Sequence, residues 1–186
     1  MRLCVHGDTL FAWVSAAKLA ETGNHVVMRT SGVNDSFDPS REPNLSLLLE
    51  EQEAAKRLLM QSLADSISEN IHIHLIALDV VVDDVESLIS SIIQHVNDTT
   101  PLLFLILSTL PIGSLDRLQR YAEQVMQMQE RKQRVFVVGL PLFCREGTAL
   151  VDFTKPENLL ISGESGSTAI TQTLELMRPF VRQASH

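Results

Sequence analysis

Apolar and polar positions along this chain follow two different periods, and the switches between them mark out its elements. Leu3, Cys4 and Val5 form a short apolar run that ends at His6-Gly7, where a turn must follow. From Asp8 to Thr22 apolar residues recur at Phe11, Val14, Ala17 and Leu19, with Ala16 and Ala20 between them, which predicts a helix lying flat on a sheet. Gly23-Asn24 stops that helix, and His25-Val26-Val27-Met28 predicts a second strand. The polar stretch from Thr30 to Glu42 predicts an irregular surface crossing. Pro43 then opens a helix carrying Leu45, Leu48, Leu49 and Ala54. A short strand is expected over Leu58–Met60, and one or two helical turns over Leu63–Glu69.

The second half continues the alternation. Ile71 to Leu78 predicts a strand with His72 and His74 at period two, both on one side. A helix is expected from Asp83 to Val96, its stripe made by Val85, Leu88, Ile89, Ile92 and Ile93. Leu102–Leu107 is a continuous aliphatic strand of the fully buried type, followed by a helix from Ser114 to about Gln133 and a strand at Val135–Val138. A last strand is expected at Leu159–Ile161 and a terminal helix from Ser167 to Val181. Strands alternating with helices imply an α/β chain: a Rossmann-like, doubly wound, mostly parallel sheet with helices on both faces, formed as a single domain over 1–186. Its crevice is expected at the carboxyl ends of strands one and two and of the strand ending at Leu78.

Composition fits that picture and narrows the function classes. With 45% hydrophobic and 20% charged residues the 186-residue chain reads as a soluble globular domain. A net charge of -8 leaves no basic stripe for nucleic acid. Cys4 and Cys144 are the only cysteines, each in an apolar run, which fits two buried thiols in a reducing cytoplasm. No apolar stretch reaches membrane-spanning length and no signal peptide is read at the N-terminus, so a cytoplasmic protein is expected.

The opening strand-turn-helix-strand is the first half of a dinucleotide-binding unit, and its turn is where a pyrophosphate would sit. The fingerprint G-x-G-x-x-G needs glycine for the turn, for close approach of the phosphate and for helix packing. Here those positions are Gly7, Thr9 and Ala12. Ala12 still permits close packing. Thr9 puts a branched side chain where the pyrophosphate would lie, Asp8 adds like charge, and Thr30 stands where an acid would hold the ribose. Ser108-Thr109, at the carboxyl end of a buried strand, are placed either to meet a ligand or to cap the next helix. His72 and His74 have no third ligand at metal-binding spacing nearby, so no metal is expected.

Taken in order, several stretches resemble the N-terminal domain of the UDP-glucose and GDP-mannose dehydrogenases over nearly the whole chain. They are the block from Leu3-Cys4-Val5 to Gly23, Glu42-Pro43-Asn44-Leu45, Ser108-Thr109-Leu110-Pro111-Ile112-Gly113, and Arg145-Glu146-Gly147-Thr148-Ala149 with Asp152-Phe153. Pro156 to Gly163 looks like the family's strand after that loop. The resemblance implies a Rossmann-like domain of enzymes that oxidise a nucleotide sugar's primary alcohol to a carboxylate with NAD, using a cysteine on a second domain. It places Gly7, Asp8, Thr9, Ala12, Thr30 and Thr109 at the cofactor and Arg145, Glu146 and Gly147 in the loop that contacts the sugar. It also places Leu142 where the family carries a glutamate with acid/base and water-positioning roles. Cys144 is not the family's nucleophile.

Two functions follow from that pattern. The first is a non-catalytic relative with lost or weakened NAD binding, working through an unidentified protein partner or a second copy of the chain, near nucleotide-sugar or exopolysaccharide metabolism. No resident cofactor is then expected. The second is an NAD- or NADP-dependent oxidoreductase, or the cofactor-domain fragment of one, in which Arg29, Thr30 and Ser31 would face a 2'-phosphate.

Overall fold

The computed structural model describes residues 1–31, 37–63, 65, 70–79, 82–96, 99–164 and 166–181. Strand β1 (Arg2–His6) is followed by α1 (Leu10–Glu21), β2 (His25–Thr30), a 3-10 turn at Pro39–Arg41, α2 (Leu45–Ala54), β3 (Leu58–Ser62) and β4 (Ile73–Ile76). The chain continues through α3 (Val82–His95), β5 (Leu102–Ile106), α4 (Ser114–Met128), β6 (Val135–Gly139), α5 (Ala149–Thr154) and α6 (Thr168–Val181). All six strands pair in parallel in the order β3-β2-β1-β4-β5-β6, so the doubly wound expectation holds. That order reverses direction between β1 and β4, which puts the crevice beyond their carboxyl ends.

The pleat sends alternate side chains to two cores. Leu3, Val5, Met28, Leu75, Leu105 and Val138 face α1, α2, α5 and α6. Ile76, Phe104, Ile106 and Val137 face α3 and α4, whose stripes are Val85, Ile89, Ile92, Ile93 and Leu118, Ala122, Val125, Met126. α1 is buried almost all round, from Ala12 to Ala20 apart from Trp13, and its alanines let it lie close to the sheet. The helix inferred from Pro43 starts at Leu45, after Asn44 takes a left-handed φ of 64°. Among the described residues no helix is long and apolar enough to cross a membrane.

Two expectations change. Leu159–Ile161 is no strand: Leu159 and Ile161 pack against the core, and among the described residues the segment's one bridge to the sheet follows them, antiparallel from Ser162 to Gly139. The outward side of β6 is shared with the Gln119 side chain, whose amide accepts from Val137 N–H at 2.7 Å and donates to the Val135 carbonyl at 3.0 Å. Helix α5 was not anticipated, because six residues give too short a period to read. The helical turns expected over Leu63–Glu69 lie largely outside the described residues.

Candidate functional site

The turn after β1 is built on Gly7, at φ +132°. A Cβ there would stand 2.2 Å from the Ala77 carbonyl oxygen beyond β4, so only glycine lets the two strand ends approach. Its N–H donates to the Arg29 carbonyl at 3.0 Å, which ties the turn to β2 as well.

Thr9 is the N-cap of α1. Its hydroxyl accepts from Ala12 N–H at 3.3 Å and donates to the Ala77 carbonyl at 2.9 Å. Ser108 does the same on the other flank, donating to the Leu78 carbonyl at 2.7 Å. The Asp8 carboxylate accepts from Ser31 N–H at 2.9 Å and from the Ser31 hydroxyl, while the Asp8 carbonyl accepts from Phe37 N–H at 2.9 Å. Ala12 is buried against the sheet, Thr30 is half-buried, and Thr109 is exposed. The turn residues singled out by the sequence therefore come together at the crevice, with the Thr9 and Asp8 side chains bonded to the protein itself.

Arg29 does not face a 2'-phosphate. It is buried, with its guanidinium donating to the Leu63 carbonyl at 2.9 Å and to the Asp65 carbonyl. It is spent on the crossover from β3 to β4, on the sheet face opposite α1, where period two places it beside His6 and Cys4.

That face holds a buried cluster the sequence reading missed. Cys4, His6 and His74 bring ligand atoms within 4.8 Å of one another. His74 Nε2 donates to the Ile71 carbonyl at 3.0 Å, so its Nδ1 accepts from His6 Nε2 at 3.1 Å and His6 Nδ1 is left as a bare acceptor. The ring centroids are 5.3 Å apart across that bond, so the imidazoles meet nearly head-on, which suits a hydrogen bond better than two lone pairs turned onto one ion. Burial holds both histidines neutral: His6 well below the usual range and His74 down to about 3. Burial likewise pushes the Cys4 thiol up to about 12. The signal in the sequence is the Cys4-x-His6 spacing on β1, which puts both on one face beside His74.

Beyond β6 lies the loop that the resemblance placed at the sugar. Leu142, Phe143, Cys144 and Arg145 line an open cavity of about 910 Å³ together with Lys155, Leu160 and Met177. Arg145 donates to both oxygens of Asp152, at 3.2 and 2.9 Å, and this pairing holds the Asp152 carboxyl down to about 2. Glu146 pairs with Arg41 at 2.6 Å. Gly147 N–H donates to the buried Glu42 carboxylate at 2.6 Å, and Leu150 N–H to its other oxygen at 3.3 Å. Cys144 is half-buried, and burial pushes its thiol up to about 12, far from a nucleophile's range.

Comparison with known proteins agrees with this geometry. The chain is 28% identical over 195 aligned residues to the UDP-glucose 6-dehydrogenase of Pseudomonas aeruginosa, covering 98% of this chain and 43% of that one. Its fold superposes on the GDP-mannose dehydrogenase of Pseudomonas aeruginosa with a TM-score of 0.82 at 19% identity, over 96% of this chain and 44% of that one. The UDP-D-ManNAc dehydrogenase of Pyrococcus horikoshii gives 0.80 at 20% identity, over 98% and 45%. This chain thus spans less than half the length of these relatives. The model of the NAD binding domain of the UDP-glucose/GDP-mannose dehydrogenase family matches residues 1–181, and the chain belongs to that family.

Proposed function

We propose that this chain is a non-catalytic member of its family, with lost or weakened NAD binding, acting near nucleotide-sugar metabolism through contact with a protein partner or a second copy. The observation that carries the reading is the Thr9 hydroxyl. It takes up the Ala12 N–H, one of the amides a diphosphate would use at the start of α1, and spans to Ala77 across the crevice. Asp8 adds a carboxylate held at the same rim by Ser31. These residues fit a diphosphate poorly. Leu142, at the family's glutamate position, cannot move a proton.

Calorimetric titration with NAD, NADP, UDP-glucose and GDP-mannose tests this. The expected dissociation constant for NAD is above roughly 1 mM, less than about 4 kcal/mol of binding. No NADH should form with either sugar nucleotide above a no-protein control. Micromolar NAD binding, or steady turnover lost on heat denaturation, would falsify the reading.

A second reading, the cofactor half of a working NAD-dependent dehydrogenase, is favoured by the intact Gly7 turn. The same titration separates the two.

A further inference from the structure

Segment 37–42 runs from the cofactor-side turn to the loop after β6, and it is fastened at both ends. Phe37 N–H holds the Asp8 carbonyl at 2.9 Å. At the far end, Glu42 is only 2% exposed, yet its carboxylate bonds the backbone N–H groups of Gly147 and Leu150, more than a hundred residues away. No Lys or Arg among the described residues bonds it, since the neighbouring Arg41 turns outward to Glu146. Closing this gap with an apolar side chain would avoid the cost of taking a carboxylate out of water. What the carboxylate adds is direction: two charge-assisted bonds fix where two amides point, one of them on Gly147 at φ +89°.

From this we infer that Glu42 is a positioning residue for the ligand-facing loop Arg145–Leu150. The inference rests on the reading of that loop as the sugar side of the site. Two other ties hold the loop: the surface pair of Arg41 with Glu146, 60% and 48% exposed, and Asp152, 13% exposed, which accepts from the Arg145 N–H at 2.9 Å, from its guanidinium and from the Thr148 hydroxyl at 3.0 Å. The Arg41–Glu146 pair, open to water on both sides, holds the loop weakly. Asp152 thus holds the Arg145 end of the loop, and Glu42 fixes its Gly147–Leu150 end.

Hydrogen exchange at the Gly147 and Leu150 amides tests the assignment, compared among wild type, Glu42→Gln, Glu42→Asp and Arg41→Gln, together with UDP-glucose affinity by calorimetry. Glu42→Gln keeps the shape and one acceptor but turns a donor toward an amide. It should speed exchange at both positions about tenfold while amides of α1 and β5 keep their wild-type rates. Arg41→Gln should change the two amides less than about threefold. UDP-glucose affinity should fall in Glu42→Gln and hold in Arg41→Gln. Unchanged loop exchange in a folded Glu42→Gln, or exchange rising equally in α1 and β5, overturns the assignment. Should Glu42→Gln fail to fold, Glu42→Asp decides by the same comparison, being too short to reach both amides. A wild type that does not bind UDP-glucose sinks the sugar-side reading, while the exchange rates still decide whether Glu42 sets the loop.

Discussion

One hydroxyl, that of Thr9, both caps α1 and joins it to the end of β4. Thr9→Gly gives up the bond to Ala77 and most of the cap, and should cost about 1 kcal/mol of stability by urea denaturation. The same change exposes the Ala12 amide to the crevice, so NAD should bind measurably more tightly than to wild type. A folded Thr9→Gly protein with unchanged NAD affinity would mean that something other than Thr9 closes the site. Side-chain bulk at position 9 was legible in the sequence; the partners of its hydroxyl were not, because Ala77 is brought alongside only by the β1–β4 pairing. The histidine pair makes a second prediction. Folded His6 and His74 titrate below the unfolded value near 6.5, so as pH drops through 6.5 the unfolded chain takes up protons that the native one does not. Stability contributed by their neutrality is complete above about pH 7 and falls by about 1.4 kcal/mol per pH unit for each ring below 6.5. No carboxylate bonds either ring among the described residues to offset this, and Arg29 adds to the repulsion. Thermal melts from pH 7.5 to 5 should show the decline, and His74→Asn should be less stable at pH 7.5 but flatter across the series.

β6 ends the sheet, and an exposed strand edge is open to pairing with another chain. Here Gln119 on α4 stands in for one residue of a seventh strand, its amide offering an acceptor to Val137 and a donor to Val135, and Ser162 bonds Gly139 further along. Gln119→Leu should lose about 1–2 kcal/mol and gain concentration-dependent association, readable by sedimentation. A monomer of wild-type stability would show that the amide is dispensable. The same edge explains why Leu159–Ile161 misled the sequence reading. Three consecutive aliphatic residues look like a strand, yet Leu160 is 51% exposed because the edge is already occupied. Long periodic elements such as α3 and α4 were readable because four or more stripe residues repeat. Arg29 was misread for another reason: strand alternation assigns it a face, and only the path of residues 63 and 65 shows that this face is closed.

Across the protein, the fold and a dinucleotide would compete for the same turn, above all for the Ala12 N–H that Thr9 caps. Adding 1 mM NAD should raise stability by no more than about 0.4 kcal/mol if the dissociation constant exceeds roughly 1 mM, a shift in the melting midpoint of a degree or two at most. A larger rise would restore the working-dehydrogenase reading. By contrast, Gly7→Ala should cost at least about 3 kcal/mol with or without NAD, since the new methyl meets the Ala77 carbonyl oxygen at 2.2 Å. This asymmetry has an evolutionary side. Selection for a foldable chain alone preserves Gly7, whereas a glycine at position 9 and an acid at position 30 are needed only while a ligand has to be held. In a lineage that had abandoned its cofactor, the first glycine of the fingerprint would be the last trace to disappear, so its presence is compatible with both readings and the ligand titration separates them.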